Sequence, residues 1–172
     1  MVTDVLKYIA SFIGLVLFQG LILNNVELSG YINPYLYVVF ILMLPFDTPS
    51  WLTLLIAFAL GLTIDVFSST LGMHLSATLF MAFCRNYLLK LIAPRGGYEF
   101  SDKPNMQAMG LSWYLLYAGI LVVLHHLFLF YVESFKFTQF FSTLFRTLAS
   151  SFFTLLLIFI LQLFNFKPAE KS

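Results

Sequence analysis

Apolar side chains in this chain come in long runs, and the polar residues gather between the runs instead of alternating with them. Four runs, 5–23, 71–92, 111–131 and 140–166, are long enough for a helix to cross a bilayer. Such a helix needs about 20 mostly apolar residues, because each residue rises only about 1.5 Å. Arg85 and Lys90 interrupt the second run near its end, and the last is long enough to tilt. Two shorter runs, 35–44 and 51–64, are framed by Asn33-Pro34, by the turn-forming stretch 45–50 and by Asp65. With their flanks they make arms of about 32–46 and 50–66, a hairpin that either crosses twice or dips in and returns. The pattern predicts one membrane domain over 1–172, an all-α integral membrane protein built as a six-transmembrane-helix bundle; four spans plus a re-entrant hairpin is the alternative. The one sizeable polar loop, 93–110, is too short to hold a domain.

Composition strengthens this picture. Hydrophobic residues make up 60% of the chain and charged residues 10%, with a mean hydropathy of +0.92, whereas soluble domains carry about 25% charge. A net charge of +1 without a basic tract argues against nucleic acid as a partner. The single Cys84 excludes an intramolecular disulfide. Lys7 ahead of the first apolar run is reminiscent of a signal sequence, but no small-residue cleavage site follows, so the run is expected to remain as the first span.

Basic residues set the expected orientation, because cytoplasmic loops retain positive charge. With both termini cytoplasmic, Lys7, Arg85, Lys90, Arg95, Lys103, Lys167 and Lys171 lie inside, and Lys136 and Arg146 outside. If only one hairpin arm crossed, the four cations around the 93–110 loop would be on the wrong side, so both arms cross or neither does. The basic loop group Arg85, Lys90, Arg95 and Lys103 determines topology, meets membrane lipids of the anionic leaflet at about 1 kcal/mol each, or contacts a partner.

Ionisable groups within spans cost about 2.5–3.5 kcal/mol at the helix centre, which makes Asp65, His74, His125, His126 and Arg146 candidates for function. Asp65 and Arg146 are expected at similar depth, as an intramembrane ion pair or as two groups snorkelling to water. The adjacent His125 and His126 point to different helix faces, so a proton or metal role needs His74 to join one of them; a histidine satisfied by a neighbour is the plainer expectation. Ala57 with Gly61, and Gly72 with Ser76, are small residues at spacing four that let helices approach closely, within the chain or against a partner's helix. No nucleophile elbow, zinc-protease motif, phosphate loop or Cys-x-x-Cys is present, so the expectation is a non-enzymatic protein without cofactor or metal.

Gly61-Leu62-Thr63-Ile64-Asp65, followed by Leu71-Gly72-Met73-His74 and the run 77–83, resembles the MreD family of bacterial rod shape-determining membrane proteins. Asn33-Pro34, the apolar run to Pro45 and the small six-segment plan are similar too, so the resemblance covers roughly 24–166. It implies a non-enzymatic scaffold of the cell-elongation complex in the bacterial cytoplasmic membrane. Its partners would be the bitopic protein MreC and, through it, MreB filaments, the RodA glycosyltransferase and a class B penicillin-binding protein. It also implies a fold like the substrate-binding S component of ECF-type vitamin transporters. Gly61, Asp65, Gly72 and His74 carry over as motif positions without assigned roles, whereas the 93–110 loop and His125-His126 do not match the family. The competing function is capture of a small molecule such as a vitamin, with outer-half polar residues lining a pocket. An enzyme of lipid-linked intermediates is disfavoured by the absence of a convergent acid–base or metal motif.

Overall fold

The structure is a computed structural model that describes residues 2–26, 31–99, 103–134 and 140–164. Lys136, Lys167, Lys171 and the end of the 140–166 run lie outside the described residues. Every regular element described is helical: α1 (Val2–Leu21), a 3₁₀ turn (Leu36–Val38) leading into α2 (Val39–Leu42), α3 (Ser50–Ser68), α4 (Met73–Leu91), α5 (Met106–Met109), α6 (Leu111–Ser134) and α7 (Phe140–Phe164). Four stretches are long and apolar enough to cross a membrane: Val5–Asn25, Ser50–Ser68, Leu111–Ser134 and Phe140–Phe164. This changes which runs stand out. The 51–64 run extends into a full 19-residue helix, whereas α4, equally long, is not among the four. The reason is position: α4 packs between α3 and α6, and buries His74, Thr78 and Arg85 there.

α7 shows most directly which medium the fold is built for. Its buried stripe is Thr143, Thr147, Ser150, Ser151, Thr154, Ile158 and Gln162, while Phe141, Phe145, Leu148, Phe152, Leu156 and Phe164 are exposed. A helix on a water-soluble domain has the reverse arrangement. Small hydroxyl side chains allow close packing and hydrogen bonding inside, and bulky apolar ones face outward, as hydrocarbon demands.

The segment 31–46 runs through the middle of the bundle. It is helical for only seven residues, because Pro34 and Pro45 bracket it and Pro supplies no backbone donor. Tyr37, Val38, Ile41 and Leu42 are completely enclosed. Its upper end meets the C-terminal end of α1 and the middle of α7, and its lower end meets Arg85 and Tyr117.

Irregular backbone away from water must find protein partners, since each unsatisfied group costs several kcal/mol. Above, Gln19 of α1 accepts from the Leu36 N–H at 2.8 Å and donates to the Pro34 carbonyl at 3.2 Å. Ser150 and Thr154 of α7 accept from the N–H groups of Asn33 at 3.1 Å and Tyr35 at 3.0 Å. Below, Tyr117 of α6 donates to the Leu42 carbonyl at 3.0 Å, and the Arg85 guanidinium donates to the carbonyls of Leu44 and Pro45. A cation thus sits at the C-terminal end of α2, where the exposed carbonyls favour positive charge.

Arg85 therefore leaves the basic loop group to which the sequence assigns it. Fully buried in the middle of α4, it is part of the packing; Lys90, Arg95 and Lys103 are exposed near that end of the bundle. The loop that carries Arg95 is anchored by aromatic rings. Tyr98 stacks on Phe46 at 4.1 Å between centroids and donates to the Leu89 carbonyl at 2.7 Å, and Trp113 Nε1 donates to the Ile92 carbonyl at 3.1 Å. Partial burial raises the Tyr98 phenol above its ordinary pKa, so it remains a donor.

Candidate functional site

The α3–α4 turn holds the motif residues. Ser69 and Gly72 take left-handed backbone conformations, with φ of 55° and 80°, and reverse the chain within four residues. Gly72 is the N-cap of α4 and has no side chain to offer the first N–H groups of the helix. Asp65, one helix earlier, supplies the missing acceptor: its carboxylate receives the backbone N–H of His74 and of Leu75, each at 3.0 Å, and the Thr70 hydroxyl at 2.5 Å. Negative charge at a helix N-terminus also complements the macrodipole. Gly61 lies one turn before Asp65, where α3 and α4 touch backbone to backbone; a Cβ there would stand 2.5 Å from Leu75 Cα.

The predicted site residues divide accordingly. Gly61, Asp65, Gly72 and His74 converge on this turn, and the small residues Ala57 and Gly61 are buried against the chain's own helices. They are not available as a groove for a partner's helix; Gly72 and Ser76 remain half-exposed. The expected pair of Asp65 with Arg146 does not form. Asp65 is spent on the α4 N-terminus, and Arg146 instead meets Glu133 at 3.0 Å and lies over the Phe130 ring at 4.1 Å.

Beneath the turn is a buried cluster that sequence spacing alone does not reveal. The Tyr37 hydroxyl bridges two imidazoles, 3.0 Å from His74 Nδ1 and 2.8 Å from His125 Nε2. His126 turns toward α7 and engages the Thr154 hydroxyl at 3.1 Å, while its Nδ1 meets the Val122 carbonyl at 2.9 Å. That carbonyl only accepts, so the contact forms in the tautomer with the proton on Nδ1, in which Thr154 donates to Nε2. The Tyr35 ring lies against His74 and His126, with centroids 4.9 and 5.4 Å away. Among the described residues His125 Nδ1 has no hydrogen-bond partner.

Above the cluster opens a cavity of about 400 Å³ with polar walls, among them Gln19, Asn24, Tyr35, His74, Glu133 and Arg146. His74 joins the two, since it lines the cavity and also bonds Tyr37. Among the described residues no three His, Cys, Asp or Glu side chains are placed to hold a metal ion. The arrangement can accept and donate hydrogen bonds to a small polar guest and can relay a proton between His74 and His125 through Tyr37.

Gln19, Ser150 and Thr154 were not among the sequence candidates, although the small polar residues of α7 recur at helical spacing and could have identified its inward face. In comparisons with family models, with curated proteins and with solved structures, nothing matches this chain.

Proposed function

We propose that this chain is a non-enzymatic scaffold of the bacterial cytoplasmic membrane, acting in the cell-elongation complex as its resemblance to the MreD family implies. The observation that carries this reading is the fate of the motif: Gly61 serves helix contact, Asp65 caps α4, and Gly72 turns the chain. Residues spent on rigidity suit a protein whose task is to present fixed helix faces to MreC and, through it, to MreB, RodA and a class B penicillin-binding protein. With the α3–α4 face used internally, the exposed Phe and Leu surface of α7 is open to a partner's helix.

Read as six crossings, the chain fits the same proposal. The 31–46 segment descends from the Ser150 level to the Arg85 level, and Asp47 follows it at the end of the bundle that carries Lys90 and Arg95. Exposed cations gather at that end, as a cytoplasmic face would require.

Depletion followed by microscopy tests the function. Rounding of rod-shaped cells, together with loss of MreC from the purified complex, is the expected result. The second reading, small-molecule capture by an S-component-like bundle, is favoured by the 400 Å³ polar cavity. Normal cell shape with a new vitamin requirement would replace the first reading by the second.

A further inference from the structure

At the end of the bundle opposite the polar cavity, α1 separates from its neighbours. Among its described side chains only Val16 and Gln19 are buried, and both lie in its C-terminal half, while Val5, Leu6, Ile9 and Ile13 are about half exposed or more. The gap is a groove of about 520 Å³. Its walls are Leu15 of α1, Val39, Phe40 and Met43 of the central segment, and Leu161 of α7; its mouth carries Lys7 and Lys103. Tyr8, next to Lys7, ties α1 to both walls of the mouth: its ring packs edge-on against Phe40 at 6.4 Å and lies 5.8 Å from the Lys103 ammonium. Gly14 faces the groove, and a Cβ built there meets nothing within 4 Å.

We propose that this groove binds one anionic glycerophospholipid, with an acyl chain along Leu15, Phe40, Met43 and Leu161 and the phosphate between Lys7 and Lys103. Apolar walls closed at one end by two ammonium groups match that molecule in both shape and charge. Basic pockets between membrane helices on the cytoplasmic side take anionic headgroups on the same grounds. A partner helix matches less well. An apolar helix offers no counter-charge to the two ammonium groups, whereas a phosphate does. The site is independent of the scaffold reading, because it requires only that the bundle sit in a membrane.

Native mass spectrometry of the whole chain in mild detergent, titrated with phosphatidylglycerol and phosphatidylcholine of equal chain length, tests the site. The expected result is one tightly held phosphatidylglycerol. Lys7→Gln and Lys103→Gln should each weaken it about fivefold, as loss of one lysine–headgroup attraction predicts. Gly14→Leu fills the groove and should remove the bound lipid of either headgroup while improving helix propensity. Gly119→Leu adds the same bulk to an equally open position on α6 and should leave lipid binding unchanged. Equal affinity for the two headgroups overturns the proposal, as does undiminished binding by Gly14→Leu. A photo-crosslinker at Ser11, which also lines the groove, that captures a membrane protein in place of lipid overturns it too.

Discussion

Arg85 Nε donates to the Tyr117 hydroxyl at 2.8 Å, and the two residues together close the carbonyl end of a helix that belongs to neither of their own elements. Tyr117 takes Leu42, and Arg85 takes Leu44 and Pro45. The central segment is held from below only while both groups are present. Arg85→Leu should therefore destabilise the protein by about 3 kcal/mol, since hydrogen bonds from a charged donor contribute roughly 1.5–3 kcal/mol each and their acceptors would be left buried. Arg85→Lys should recover only part of this, because an ammonium lacks the planar fork that serves several acceptors. Lys90→Gln, on the exposed side of the same helix, should leave the detergent melting curve in place.

Asp65 and Arg146 make an informative pair because they do not touch. Asp65→Ala removes the acceptor for two α4 N–H groups and should cost about 1–2 kcal/mol, the usual range for a lost cap. Arg146→Gln should cost under about 1 kcal/mol, since its partner Glu133 is substantially exposed. In a double-mutant cycle the two losses should add within about 0.5 kcal/mol. A larger coupling energy would restore the direct ion pair expected from sequence.

The contrast between these residues shows how much the sequence discloses. The long apolar runs and the helical class are legible from hydropathy, because hydrocarbon imposes length and apolarity on each helix separately. Partner choice is not legible that way. Asp65 and Arg146 have opposite charge and are expected from sequence at similar depth, yet Asp65 is claimed by a helix N-terminus nine residues further along the chain, a local interaction that costs little chain entropy to form. Arg85 was misplaced for a related reason. A basic residue near the end of an apolar run looks like a topology signal, and only the irregular Leu44–Pro45 backbone beside it reveals a buried acceptor. The His74–Tyr37–His125 bridge joins three separate elements, so no spacing rule reaches it.

Gly61 should accept no side chain without loss of stability. Alanine there places its Cβ against backbone atoms of His74 and Leu75, which cannot swing aside as a side-chain tip can. Gly61→Ala should lower stability by about 1–3 kcal/mol, and Gly61→Leu should abolish folded material. Gly119→Ala, with open space around it, should be neutral or slightly stabilising. Recovery of folded Gly61→Leu would show that α3 and α4 do not approach this closely.

The path of the central segment makes a prediction about sidedness that does not depend on any partner. If the segment carries the chain from the Asn33 end of the bundle to the Leu44 end, Asp47 emerges on the face that presents Arg95, and Leu71 on the opposite face. Single cysteines at these exposed positions, on a Cys84→Ser background, can be labelled in intact cells with a membrane-impermeant maleimide. Asp47→Cys and Arg95→Cys should stay protected until the cells are opened, whereas Leu71→Cys should react from outside. A re-entrant hairpin returns the chain to the side it came from, so it predicts that Asp47→Cys reacts together with Leu71→Cys. That outcome would force both 31–46 and α3 to return without crossing, and it would separate the carbonyls of Leu44 and Pro45 from the guanidinium that now holds them.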